Sequence, residues 1–101
     1  MSRVELAPEL GDDIGRILDH LVRHDVTDPG RRIGEIIQAI NALEHNPLIG
    51  RPAENDLREL VIGRRSHGSV ALYRYVAELD IVFVLALRSQ REAGYAEGGT
   101  R

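Results

Sequence analysis

Apolar residues recur along this chain first with a helical period and later with a strand period, and the change divides it in two. Val4 and Leu6 alternate with Arg3 and Glu5, which predicts a short strand over Arg3 to Leu6. Ala7-Pro8-Glu9 then opens a helix, since Pro is tolerated in a first turn and Glu9 complements the helix dipole there. Leu10, Ile14, Ile17, Leu18 and Leu21 follow as one stripe. Asp12, Asp13, Arg16, Asp19 and Arg23 are expected on the opposite, solvated arc, with Asp12–Arg16 and Asp19–Arg23 spaced as i,i+4 pairs. The run from Asp25 to Gly30 is a turn, and Asp28 before Pro29 is an N-cap signature for a second helix. Ile33, Ile36, Ile37, Ile40 and Leu43 form its stripe, and Pro47 restrains the preceding residue, so the helix should end near His45-Asn46. Two stripes of this kind imply an antiparallel helix hairpin with one shared apolar side.

Asn46 to Asp56 holds two Pro and a Gly and reads as a loop, after which the period becomes that of strands. Strands are predicted over Leu57 to Ile62, Val70 to Ala77 and Ile81 to Arg88, joined by the basic turn Gly63 to Gly68 and by a short turn at Glu78-Leu79. Short connections make these three an antiparallel meander. The last strand is apolar on both faces, with Ile81, Phe83, Leu85 and Leu87 on one and Val82, Val84 and Ala86 on the other, so it belongs at the centre of the sheet. Arg3 to Leu6 must pair along that sheet. The expected fold is α+β: an N-terminal strand and an antiparallel helix hairpin packed on a small twisted antiparallel β-sheet. No repeat and no interdomain linker is evident. One domain is expected over residues 1–96, with 97–101 as a disordered tail.

Composition narrows the chemistry. With 43% apolar residues but only 4% aromatic, the core must be aliphatic. The absence of Cys excludes a disulfide framework, an iron–sulfur site and a thiol nucleophile. No run approaches the length of a membrane span, and Met-Ser-Arg-Val-Glu-Leu has no signal-peptide pattern, so a cytoplasmic protein with no membrane contact is expected. The net charge of −3 argues against strong non-specific nucleic-acid binding. The charge is uneven: residues 1–50 carry five Arg against nine acids, and residues 51–101 eight Arg against seven. Every Lys/Arg position is Arg, so a Lys base or Schiff base is impossible.

Few constellations remain. His20 and His24 are one helical turn apart, but Leu21 stands where a zinc-protease motif needs Glu, and no metal or cofactor is expected. No Gly-rich phosphate loop is present, and nothing orients His67 between Ser66 and Ser69 for hydrolysis. The Arg clusters are better candidates. Arg64 and Arg65 occupy the basic turn, and Arg88 and Arg91 follow the apolar strand, with Tyr95 close enough in sequence to stack on a base or serve as an acid. The alternative is that these Arg residues are ordinary solvated strand ends paired with acids such as Glu92.

Four stretches carry a resemblance: Ala42-Leu-Glu-His-Asn-Pro-Leu-Ile-Gly-Arg-Pro52, Leu57-Arg-Glu-Leu60, Leu72-Tyr-Arg-Tyr-Val76, and Val82-Phe-Val-Leu-Ala-Leu-Arg-Ser-Gln-Arg-Glu-Ala-Gly-Tyr95. In this order, after a strand and a helix hairpin, they resemble the RelE/ParE family of toxins from type II toxin–antitoxin modules, over essentially the whole chain. The resemblance implies a growth-inhibiting, plasmid-stabilising toxin. Its cognate antitoxin lays a segment across an apolar groove in a toxin–antitoxin hetero-oligomer.

Two targets are implied by two branches. The RelE branch cleaves mRNA on the ribosome with basic residues and a C-terminal Tyr, for which Arg88, Arg91 and Tyr95 would stabilise and protonate at the scissile phosphate. The ParE branch poisons DNA gyrase without a known catalytic set, and here Arg64, Arg65, Arg88 and Arg91 would contact the target. The nuclease branch reads Gly-aromatic-Arg-x-x-Tyr after the basic turn, whereas this chain reads Gly68-Ser69-Val70-Ala71-Leu72-Tyr73. Val70 cannot stabilise charge on a phosphate, and the branch's Lys residues are absent. The reading therefore leans to a non-enzymatic, ParE-like gyrase inhibitor. A ribosome-dependent mRNA interferase and a degenerate antitoxin-binding family member are the alternatives.

Overall fold

The structure is a computed structural model, and it describes residues 1–23, 28–63 and 68–89. Along them run β1 (Arg3–Leu6), α1 (Leu10–Arg23), α2 (Pro29–Asn41), a 3-10 turn (Ala42–Glu44), β2 (Arg51–Pro52), β3 (Arg58–Ile62), β4 (Ser69–Val76) and β5 (Ile81–Ser89). The expected α+β architecture is present. Among the described residues the sheet has the order β1-β5-β4-β3-β2. The meander β3-β4-β5 is antiparallel, but β1 joins β5 in parallel, with Val4 beside Val82 and Leu6 beside Val84. The sheet is thus mixed. The helix hairpin, the loop and the meander together act as the long connection that a parallel pair requires. β2 falls in what reads as pure loop; Pro52 cannot donate to a ladder but is tolerated on an edge strand.

The helices cover one face of the sheet. Leu10, Ile17 and Leu21 of α1 and Ile36 and Ile40 of α2 are buried against Ala71, Tyr73, Val82 and Val84. Leu18 and Ile37, expected in the stripes, lie on their outer margins and are exposed. At the start of α2 the Asp28 carboxylate accepts a hydrogen bond from the Arg31 N–H at 3.1 Å, satisfying one of the open donors of the first turn. The helix gives way at Asn41 to the 3-10 turn, whose Leu43 is fully buried.

The two helices share a few residue types at a spacing of 19 positions. Gly11, Ile14, Gly15 and Ile17 are matched by Gly30, Ile33, Gly34 and Ile36, while Asp13 and Arg16 are matched by Arg32 and Glu35 with the charges reversed. Arg32 and Glu35 lie with Ile62, Gly63 and Ser69 around a small gap between α2 and the end of β3.

The face assignment of β5 departs from simple alternation. Tyr73 pairs with Val84 and Leu72 with Ala86, which leaves Leu85 as an extra residue in a β-bulge. Beyond the bulge the alternation reverses. Leu87, opposite Ala71, joins Val82 and Val84 in the core, and Ala86 and Arg88 turn to the face that the helices do not cover. Leu87 therefore does not share a face with Ile81 and Phe83, as an unbroken strand would require.

The loop before β3 is tied to the sheet by one buried tyrosine. The Gly50 N–H donates to the Tyr73 hydroxyl at 2.8 Å, and Arg58 Nη1 donates to the carbonyls of Gly50 at 2.8 Å and Leu48 at 3.2 Å. A Cβ at Gly50 would sit 2.7 Å from the Tyr73 ring and hydroxyl and 2.9 Å from the Glu59 carbonyl, so only glycine fits. Tyr73→Phe should leave the buried Gly50 N–H without an acceptor and cost about 1–3 kcal/mol. Gly50→Ala should cost a similar amount, about 1–3 kcal/mol, through overpacking. Thermal unfolding checks both, and an unchanged Tm for Tyr73→Phe would show that the tie contributes nothing.

Candidate functional site

The face of the sheet opposite the helices carries the one predicted contact residue that the described residues contain. By register, Val61, Val70 and Arg88 lie in a row across β3, β4 and β5 on that face, with Leu72 beside Ala86 in the next row. Arg88 is exposed, and its backbone pairs with Val70 in the β4–β5 ladder. Val70 beside it is only 4% exposed. Arg64, Arg65, Arg91 and Tyr95 lie outside the described residues, as do His24, Ser66, His67 and the predicted tail. His20 is half-buried on α1.

Behind Arg88 stands a pair of side chains that pattern reading assigned to solvent. Asp13 follows Leu10 by three residues and precedes Ile17 by four, so it borders the buried stripe instead of opposing it. Its Oδ2 accepts the Leu87 N–H at 3.0 Å, while its Oδ1 accepts from Arg16 Nη1 at 3.0 Å. Arg16 Nη2 in turn donates to the Leu87 carbonyl at 3.1 Å. The reason lies in β1, whose pairing with β5 stops at Leu6 and Val84, followed by one more bond from the Ala7 N–H to the Val84 carbonyl at 2.9 Å. Past that point, among the described residues, Leu87 has no strand on the β1 side, and the Asp13–Arg16 pair supplies the donor and acceptor that a strand would have. Burial works to raise the Asp13 pKa. The Leu87 hydrogen bond, Arg16 and the nearby charge of Arg88 outweigh it and hold the carboxyl below its ordinary value.

At the opposite end of the sheet, Asp80 Oδ1 accepts from the Ser2 hydroxyl at 2.6 Å and from the Tyr75 hydroxyl at 2.8 Å. The Ser2 and Tyr75 bonds lower the Asp80 pKa, and the bond to Asp80 raises that of Tyr75. They fasten β1 to the β4–β5 turn. An open cleft of about 560 Å³ near this end is lined by Leu48, Asp56, Arg58, Arg74 and Glu78, among others. Its cations are already engaged: Arg58 holds the Gly50 and Leu48 carbonyls, and Arg74 donates to the Asn55 carbonyl at 3.1 Å. These contacts make the cleft a loop anchorage.

The described residues form a small α+β protein with two helices on one face of a mixed sheet and Arg88 on the other. The chain belongs to the family of the ParE toxin of the type II toxin–antitoxin system, parDE, whose model matches residues 4–94. Among solved structures, a chain of the chromosomal ParDE system from P. aeruginosa superposes with a TM-score of 0.71 at 20% identity, covering 88% of this chain and 96% of that one. A metal-bound toxin from Helicobacter pylori overlaps with a TM-score of 0.47 at 15% identity, covering 91% and 98% respectively. No curated protein matches the sequence. Among the described residues no helix is long and apolar enough to cross a membrane.

Asp13 and Asp80 both titrate lower in the folded chain than in an unfolded one. Their contribution to stability is therefore full above the unfolded value of about 3.9 and is lost as pH falls through the folded values. Asp80→Asn should lower Tm at pH 7, and the gap to wild type should close in strong acid. A gap that stays constant from neutral to acid pH would show that the ionised carboxylate is not what matters.

Proposed function

We propose that this protein is a toxin that inhibits growth by poisoning DNA gyrase through non-covalent contact, and that a cognate antitoxin neutralises it. The observation that carries the non-enzymatic reading is Val70. The resemblance to the nuclease branch would require an Arg there, at the start of β4, to stabilise charge on the scissile phosphate. Instead the position holds a buried aliphatic side chain directly opposite Arg88. One exposed guanidinium beside a buried valine can bind an anionic surface but supplies no proton transfer. The family match supports gyrase over the ribosome and mRNA as target, and a fold neighbour from a ParDE system supports pairing with an antitoxin. Arg64, Arg65 and Arg91, which lie outside the described residues, are the other Arg residues proposed as target contacts. No metal or cofactor enters this reading.

Purified protein added to a gyrase supercoiling assay should suppress supercoiling, and the same protein in a translating ribosome extract should leave the message intact. Arg88→Ala should weaken inhibition about tenfold or more, since a hydrogen bond to a charged group contributes about 1.5–3 kcal/mol. Its stability should change by less than about 0.5 kcal/mol, as expected for an exposed side chain. Message cleaved at the ribosomal A site with supercoiling intact would establish the interferase reading instead. Failure of induced expression to slow growth would remove both toxic readings.

A further inference from the structure

The Leu85 bulge and the Asp13–Arg16 pair act on the same short piece of backbone. The bulge reverses the alternation of β5, so that Leu87 points into the core and Arg88 to the outer face. That reversal takes place where, among the described residues, β5 has no neighbour on one side, since β1 pairs no further than Val84. A strand end held only by β4 is free to fray, because each of its outward N–H and C=O groups can be taken by water. Here both outward groups of Leu87 are held, by Asp13 Oδ2 at 3.0 Å and Arg16 Nη2 at 3.1 Å, and the two side chains are locked to each other at 3.0 Å. Arg88 is the next residue along.

We infer that Asp13 and Arg16 are positioning residues for Arg88: by gripping the Leu87 peptide beyond the bulge, they present Arg88 on the outer face in register with Val70. The inference concerns where Arg88 is held. Its consequence for inhibition rests on the reading of that face as the gyrase contact. Neither Asp13 nor Arg16 needs to touch the target, and α1 contributes to the contact from the covered side of the sheet. The matched pair on α2, Arg32 and Glu35, has reversed charges and lies near the end of β3, so it cannot replace the α1 pair at Leu87.

The test compares wild type, Asp13→Ala, Asp13→Asn and Arg88→Ala by NMR and by supercoiling inhibition. In Asp13→Ala the Leu87 amide should exchange about five- to tenfold faster, as expected for one lost hydrogen bond. The cross-strand contact between Val70 and Arg88 should weaken, while that between Tyr75 and Val82 persists. Asn retains an oxygen acceptor, so Asp13→Asn should restore most of the Leu87 protection. Inhibition by Asp13→Ala should fall as far as that by Arg88→Ala, and the double variant should be no weaker than Arg88→Ala alone. A Val70–Arg88 contact at full strength in Asp13→Ala would overturn the positioning role. So would additive losses in the double variant. Wild type that fails to inhibit gyrase would refute the gyrase reading, and the NMR comparison would still decide the positioning role. Loss of the Tyr75–Val82 contact together with the Val70–Arg88 contact would mean that Asp13 supports the whole sheet, which also overturns it.

Discussion

The structure depends on satisfying the backbone of β5. This strand lies between β1 and β4, holds three of the fully buried side chains (Val82, Val84 and Leu87), and is longer than the partner on its β1 side. A buried peptide group left unpaired costs as much as several good packing contacts gain. β1 provides for β5 as far as Val84, and the charged edge of α1 provides for Leu87. The position of α1 is thus constrained twice, by the apolar stripe it buries and by the peptide it completes. Comparable ties hold the periphery: Tyr73 and Arg58 secure the loop at Gly50, and Asp80 secures Ser2 and Tyr75.

These ties give physical content to the motifs on which the family resemblance rests. Gly50, Arg58 and Tyr73 come from three separate stretches of sequence but form one hydrogen-bonded unit. The set is held together by the fold: a larger residue at Gly50 would collide with Tyr73 and the Glu59 carbonyl. Val70 and Arg88 lie outside this unit, side by side on the other face of the sheet, Val70 buried and Arg88 exposed.

Much of the fold was legible in the sequence because it is written in local periodicity. The stripes of α1 and α2, the Asp28-Pro29 start and the three meander strands all follow from spacing. What escaped depends on partners distant in sequence. The parallel pairing of β1 follows from long-range topology. The bulge at Leu85 has no local mark, since Leu85 would fit an unbroken strand equally well, and it reassigns Leu87 and Arg88. Asp13 and Arg16 looked like solvated charges because their partner is a peptide group in β5, and a backbone group leaves no trace in a side-chain pattern. Their position next to the buried stripe was the available signal. Of the candidate site, Arg88 was legible as a cation ending an apolar strand, whereas its facing depended on the bulge.

The bulge also bears on how this protein can change over time. In a regular strand, the identity of each residue can drift independently, and a poor choice costs only its own contacts. In β5, Leu85 stands outside the alternation, because it is the extra residue of the bulge. Loss of its codon would leave a regular strand in which Val84 and Leu87 still face the core and Ala86 and Arg88 still face outward, opposite the same residues of β4. The strand end can therefore lose one residue at this position and keep both its facing and its register, so the bulge is a place where the length of the chain can change without exchanging the two faces of the sheet.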